Sequence, residues 1–210
     1  MGNAQYKLYY FEFKFRAETI RFIFEAAGKP YEDIRFAQSK WPEYKNESPF
    51  GTAPYLEISN GSQTLKLGES IAIARYVARK FKLAGKSDEE SAIVDMYADL
   101  ITDLMNQMVR IIVEKDEGKK KQEQDKLQNE LVPKCFQLFD DRIAQSKSGY
   151  FVPSGLTWVD LYLFNFIDLQ GDKVDDLLNN NCKHVKKLYE NVRTNPRIAA
   201  YLKRRPVTSF

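Results

Sequence analysis

Two tyrosines stand side by side in the stretch YKLYYFEFKFRAETIRFIF, residues 6–24. Successive side chains of a strand point to opposite faces, so Tyr9 and Tyr10 cannot share an environment. The aromatic run over 6–11 reads as a strand, and Ile20, Ile23, Phe24 and Ala27 repeat at the spacing of one helix face. Ligands of open α/β sheets gather at the carboxyl ends of strands, which places Tyr10 and Arg16 better for chemistry than Tyr9. In SPFGTAPYLEI, Ala53-Pro54 precedes an extended apolar run and is a candidate cis peptide. A cis bond there would free the N–H and C=O of Ala53 to pair with an extended peptide; a plain strand-opening proline is the alternative. In LKLGESIAIARYV, Glu69 and Ser70 stand directly before a helix. Unpaired N–H groups at a helix start favour a carboxylate and the Ser70 hydroxyl adds a donor, although Ser70 could equally be an ordinary helix cap.

These residues need a scaffold, and the chain changes character near residue 83. Strands are expected over 6–11, 31–36, 55–58 and 64–67, alternating with helices as in a small mixed α/β sheet. After that strands vanish. KLAGKSDEE reads as a linker, and from Ile93 the residues Met96, Tyr97, Leu100, Ile101, Leu104, Met105, Met108, Ile111 and Ile112 hold helical spacing over several turns. EKDEGKKKQEQDK reads as a solvated turn between helices. In LTWVDLYLFNFIDL, Thr157 and Asp160 have the spacing of a capping box, and the helix they open is apolar almost all round and therefore central. The expected organisation is an α/β domain over 1–83 and an all-helical domain over 84–210.

Composition narrows the setting. With 210 residues, 43% of them hydrophobic, the chain can build a real core, and a net charge of +3 carries no nucleic-acid or membrane footprint. No signal-like stretch opens it and no apolar run could span a bilayer, so a cytoplasmic protein is expected. Cys135 and Cys182 are too few for a disulfide framework or a metal site and read as buried free thiols. His184, flanked by lysines, reads as a solvated helix residue. Asp95, Asp99 and Asp103 form one acidic stripe along the long helix, by default a solvated face.

The order of these signals, carried by YKLYYF, FRAETIRFIF, YEDIRF, WPEYK, SPFGTAPYLEI, LGESIAIARYVARKF, LTWVDLYL and KRRPVTSF, resembles the cytosolic glutathione transferases, among them the sigma class. The resemblance covers nearly the whole chain. It implies a thioredoxin-like domain that binds glutathione, a helical domain completing the pocket for a small hydrophobic electrophile, and a homodimer. No metal is expected. Tyr10 matches the family's catalytic tyrosine, with Arg16 bracing it. Trp41 and Lys45 would hold the glycyl carboxylate, Gly51, Thr52, Ala53 and Pro54 the cysteinyl unit, and Glu69 and Ser70 the γ-glutamyl end. Asp103 would reach across the two-fold axis toward the partner's glutathione. Phe13, Lys14, Phe15 and Arg110 would border the electrophile pocket.

There are departures. Glu69 replaces the usual Gln, and Phe15 stands where the family often has a small residue between two basic ones. Sigma members that isomerise prostaglandin H₂ carry an aromatic at the position of Arg110 and a second acid at that of Thr102, which weighs against a prostaglandin isomerase and an interface metal. A non-catalytic carrier of hydrophobic ligands such as haem, or a crystallin-like structural protein, is the alternative on the same fold.

Overall fold

The computed structural model describes residues 4–61, 63–178 and 182–208. The chain forms two compact units, Met1–Leu83 with Thr194–Phe210, and Ala84–Arg193. The sequence had suggested that everything after residue 83 folds as one helical domain. Instead the last helix, α10 (Pro196–Arg204), packs on α1 (Phe15–Ala27) of the first unit. Arg197 donates to the carbonyl of Ala26 at 3.0 Å, Arg204 pairs with Glu25 at 2.6 Å, and the Tyr201 ring meets Phe22 edge-on at 5.7 Å.

The first unit is built on a four-stranded sheet of order β2-β1-β3-β4, comprising β1 (Gln5–Phe11), β2 (Glu32–Phe36), β3 (Tyr55–Asn60) and β4 (Gln63–Leu67). β1 runs parallel to β2 and antiparallel to β3, which runs antiparallel to β4. The alternation along β1 divides its side chains. Tyr6, Leu8 and Tyr10 are buried, and Tyr6 packs against Phe24 of α1 and against Phe81 just past α3 (Ser70–Lys80). Tyr9 and Phe11 point the other way, toward α2 (Trp41–Lys45): Tyr9 lies 6.2 Å from the Tyr44 ring and stacks on Tyr55 at 4.4 Å.

The second unit is helical. Its first helix, α4 (Asp88–Val113), starts earlier than the apolar pattern suggested. Ser87 accepts from the N–H of Glu90, and Asp88, Glu89 and Glu90 place negative charge on the first turn, so part of the supposed linker is a capped helix start. Its buried stripe is Val94, Ala98, Ile101, Leu104, Met105 and Ile111, while Met96 and Ile112 are exposed. The supposed turn at 114–126 holds a helix too, α5 (Glu117–Lys126), capped by Asp116 and buried nowhere. Charge patterning reported its solvation correctly, but a helix without an apolar face shows no periodicity.

A π-helical turn, Leu127–Leu131, leads into α6 (Val132–Ser146). α7 (Trp158–Asp168) is buried from Trp158 to Ile167 and packs against α4, α8 (Val174–Leu178) and α9 (Lys183–Arg193). Asp140 of α6 accepts from the N–H groups of His184 and Val185, which tethers the start of α9. His184 is thus a half-buried first-turn residue rather than a fully solvated one. Cys135 and Cys182 are free and buried, and burial pushes both thiols up.

The capping box is complete. The Asp160 carboxylate, with no exposed surface, accepts from the N–H of Phe151 at 2.9 Å, the N–H of Thr157 at 2.6 Å and the Thr157 hydroxyl at 2.7 Å. Asp160→Ala strands those donors inside the protein, so a loss of about 2–4 kcal/mol is expected from urea unfolding. A loss below about 1 kcal/mol would mean the cap is dispensable.

Candidate active site

Strand register fixes where a site can form. Phe11 pairs with Phe36, Tyr9 with Tyr55 and Leu56 with Leu67, so the carboxyl ends of β1, β2 and β4 and the start of β3 share one edge of the sheet. The loops leaving that edge carry residues 13–16, 41–45, 51–54 and 69–70. Ring contacts link the first two of these: Phe11 meets Phe13 at 6.1 Å and Trp41 at 5.7 Å, and Trp41 stacks on Phe36 at 6.0 Å.

Tyr10 is 5% exposed. Its hydroxyl accepts a hydrogen bond from the backbone N–H of Arg16. Burial pushes the phenol above its ordinary range, against the pull of that bond and of the charges on Arg16 and Arg21. The group therefore stays protonated, and an oxygen that accepts from Arg16 keeps its own proton to donate. Lys14 caps α1, its carbonyl accepting from the N–H of Glu18 at 3.1 Å. Phe15 has φ +28°, a backbone region that favours glycine, and the Arg16 guanidinium lies 5.9 Å from its ring. A glycine here would relieve that strain; Phe15 keeps it, half-buried at the start of α1.

On the other loops, Lys45 reaches back over Gly51: a Cβ on this glycine would lie 3.4 Å from the Lys45 Cε, and Gly51 has φ +62°. Thr52 is held at both main-chain positions by one hydroxyl. Ser48 Oγ donates to its carbonyl at 2.5 Å and accepts from its N–H at 3.2 Å. Ser48 is buried and was not picked out from the sequence, where a serine before a proline has no distinguishing mark. Ala53-Pro54 is cis. Glu69, exposed and with φ +63°, precedes α3, and Ser70 is the buried first residue of that helix rather than its cap. A non-glycine residue in this region marks a position held by its surroundings, and such residues cluster at ligand sites.

Beneath the first loop lies a charged cluster that the sequence did not single out. Arg21, with no exposed surface, donates to the carbonyl of Phe13 at 2.9 Å, to Glu18 at 3.0 Å and to Asp33 at 3.0 Å. Asp33 also accepts from Arg35 at 2.8 Å, whose other end donates to the Tyr201 hydroxyl at 3.3 Å. Glu18, likewise fully buried, accepts from Arg205 at 3.0 Å. The pairing raises the Arg21 pKa despite its burial, so its charge is permanent. The visible clue was Glu18 and Arg21 at i, i+3 on one helix face.

Asp103 and Arg110 belong to the second unit, where both are exposed on α4. They border a cleft of 510 Å³ with Leu104, Leu131, Cys135 and Leu138. Asp95 is half-buried and Asp99 exposed on the same helix. Among the described residues no group of three or more His, Cys, Asp or Glu could hold a metal ion.

Comparison with known proteins places this arrangement. Residues 4–79 match the family model for the glutathione S-transferase N-terminal domain, and residues 102–205 that for the glutathione S-transferase C-terminal domain. Over 99% of its length the chain is 38% identical to a Caenorhabditis elegans protein named probable glutathione S-transferase 6, covering all of that protein. It is 34% identical to Homo sapiens hematopoietic prostaglandin D synthase, over 98% of both chains. The solved monomeric glutathione S-transferase Na-GST-3 of Necator americanus superposes with TM-score 0.85 at 39% identity, over 98% of this chain and 100% of that one. A site-bearing mixed sheet, a separate helical unit and full-length relatives agree: the chain belongs to the glutathione S-transferase family and is a glutathione transferase.

Proposed function

We propose that the edge of the sheet described above holds glutathione, with Tyr10 as the donor that stabilises its thiolate. The observation that carries this reading is the buried, protonated Tyr10 phenol at the end of β1, accepting from Arg16 and so left with its own O–H to donate. A free thiol with a pKa near 8.5 is mostly protonated at neutral pH and a poor nucleophile. A hydrogen bond to a charged sulfur contributes about 1.5–3 kcal/mol, which lowers the thiol pKa by about one to two units. The thiolate then attacks an electrophilic carbon of a hydrophobic compound: a carbon–sulfur bond forms and the leaving group departs with its electron pair.

The rest of the tripeptide follows the loops. The Trp41 indole N–H and the Lys45 ammonium take the glycyl carboxylate. Gly51, Thr52, Ala53 and Pro54 line the cysteinyl unit, and the Ser48 clamp supports this role by fixing the direction of the Thr52 backbone. The Glu69 carboxylate faces the γ-glutamyl ammonium, and the Ser70 hydroxyl and helix start face its carboxylate. On the first unit, Phe13, Lys14 and Phe15 are read as bordering the electrophile, and on the second Arg110 is kept as a candidate contact. The protein is read as cytoplasmic, sigma-like and dimeric, with Asp103 of each protomer contributing to the other's site. Thr102 supports conjugation over prostaglandin isomerisation: its hydroxyl donates to the carbonyl of Ala98 at 2.8 Å, and it brings no second acid beside Asp103.

Turnover of chlorodinitrobenzene with glutathione tests the tyrosine. Tyr10→Phe should lower kcat by about ten- to a hundredfold at neutral pH and move the pH–rate midpoint upward by about one to two units, because the thiol loses a donor that favoured its ionised form. Equal rates in both proteins would end the Tyr10 assignment. A wild type that binds haem tightly but shows no turnover would establish the carrier instead.

Sedimentation equilibrium tests the assembly. Twice the mass of one chain is expected, and Asp103→Asn should then raise the KM for glutathione. A single-chain mass would exclude a site shared between protomers.

A further inference from the structure

We infer that Arg21 is a positioning residue for Tyr10, and that Arg205 near the end of the chain holds Arg21 in place through Glu18. The inference rests on the reading of Tyr10 as the thiolate's donor.

The geometry runs in one direction. The Arg205 guanidinium, 14% exposed, donates to Glu18 Oε1 at 3.0 Å, and Glu18 Oε2 accepts from Arg21 Nη1 at 3.0 Å. The same Nη1 donates to the carbonyl of Phe13 at 2.9 Å, within the loop that joins Tyr10 to Arg16. That loop presents the Arg16 N–H that the Tyr10 hydroxyl accepts. Arg21 also acts on Tyr10 directly. Its guanidinium carbon lies 6.0 Å from the centroid of the Tyr10 ring. A fixed cation beside a phenol favours the phenol's anionic form and so makes its O–H a stronger donor.

Stability alone is a poor explanation for these charges. Buried ion pairs of this kind seldom outperform well-packed apolar side chains of similar volume. Arg21 Nη1 donates to the loop carbonyl of Phe13 as well as to Glu18. Arg205 ends the chain of contacts at the edge of the unit, where it can be changed without hollowing out the core.

The test uses the whole enzyme with Arg205→Gln, Arg205→Lys and Arg21→Lys. Arg205→Gln should lower kcat for chlorodinitrobenzene below neutral pH by about three- to tenfold, leave the glutathione KM within about twofold, and recover as pH rises. The upward recovery follows because a weaker donor leaves the thiol with a higher pKa. Arg205→Lys, which keeps a cation beside Glu18, should restore most of the rate. Arg21→Lys, whose ammonium cannot span Phe13, Glu18 and Asp33, should show the larger defect of the same form. Should Arg21→Lys fail to fold, Arg205→Gln decides the matter.

A second readout needs no turnover. With ring-labelled tyrosine, the Tyr10 resonance is identified by its loss in Tyr10→Phe and should shift in Arg205→Gln. An unmoved pH midpoint together with an unmoved Tyr10 resonance would overturn the inference. If the wild type shows no turnover at all, the resonance alone decides: movement sustains the linkage while the transferase site assignment falls, and no movement overturns the linkage.

Discussion

A guanidinium without exposed surface needs acceptors from its surroundings, and three elements of the first unit supply them to Nε and Nη1 of Arg21. Its acceptors come from the loop after β1, from α1 itself and from β2. The last of these, Asp33, is shared with Arg35, and the acid on α1 is shared with Arg205. Desolvating one charge in this way is offset by sharing partners: Glu18 keeps Arg21 if Arg205 is changed, whereas removing Arg21 itself leaves Glu18 and Asp33 less compensated. The arrangement therefore behaves as a unit. It also explains why the chain's last helix returns to the sheet: without Arg205 and the Tyr201 hydroxyl, Glu18 and Arg35 would each lack a partner.

That constraint reaches the chemistry through the backbone. The strand end fixes the face of the sheet that Tyr10 occupies, but its hydroxyl environment is set by the loop, whose Phe13 carbonyl is held by Arg21 and whose Lys14 carbonyl is held by the Glu18 N–H. The opposite loops use the same device at lower charge. Ser48 clamps Thr52 through a single hydroxyl, and Lys45 closes over Gly51, where a side chain would crowd its stem. In the proposed site, loops held in this way would reduce the entropic cost of binding a tripeptide, since less would have to be ordered.

What could be read from the sequence was whatever depends on local periodicity. The strands, the capping box at Thr157 and Asp160, and the centrality of α7 all follow from spacings of two to four residues, and alternation separates Tyr9 from Tyr10 without saying which is buried. Motif order marked the candidate site residues, and the register of the strands puts the segments that carry them at one edge. Three things escaped. α5 has no buried residue, so it offered no stripe to detect. The buried stripe of α4 includes Val94 and Ala98, which the face expected from Ile93, Met96 and Tyr97 had left out. Arg21 was not singled out because its acceptor Asp33 lies 12 residues on in another element, and Arg205, the second partner of Glu18, lies 187 residues from that acid. Burial of charge is a tertiary fact, and no local pattern reports it.

The balance at Tyr10 then has a direction. Burial raises the phenol's pKa, while the Arg16 N–H and the charges of Arg16 and Arg21 lower it, and burial wins. Were the cations to win outright, the tyrosine would ionise in the range where a thiol does, and a tyrosinate beside a thiolate repels rather than donates. Were burial unopposed, the O–H would be a weak donor, with little preference for sulfur's charged form. A donor for a thiolate must stay protonated through the thiol's titration yet be polarised enough to favour the anion. A buried phenol with an N–H on its oxygen and a permanent cation by its ring meets both conditions, and the cation persists because Glu18 and Asp33 keep it charged where water cannot.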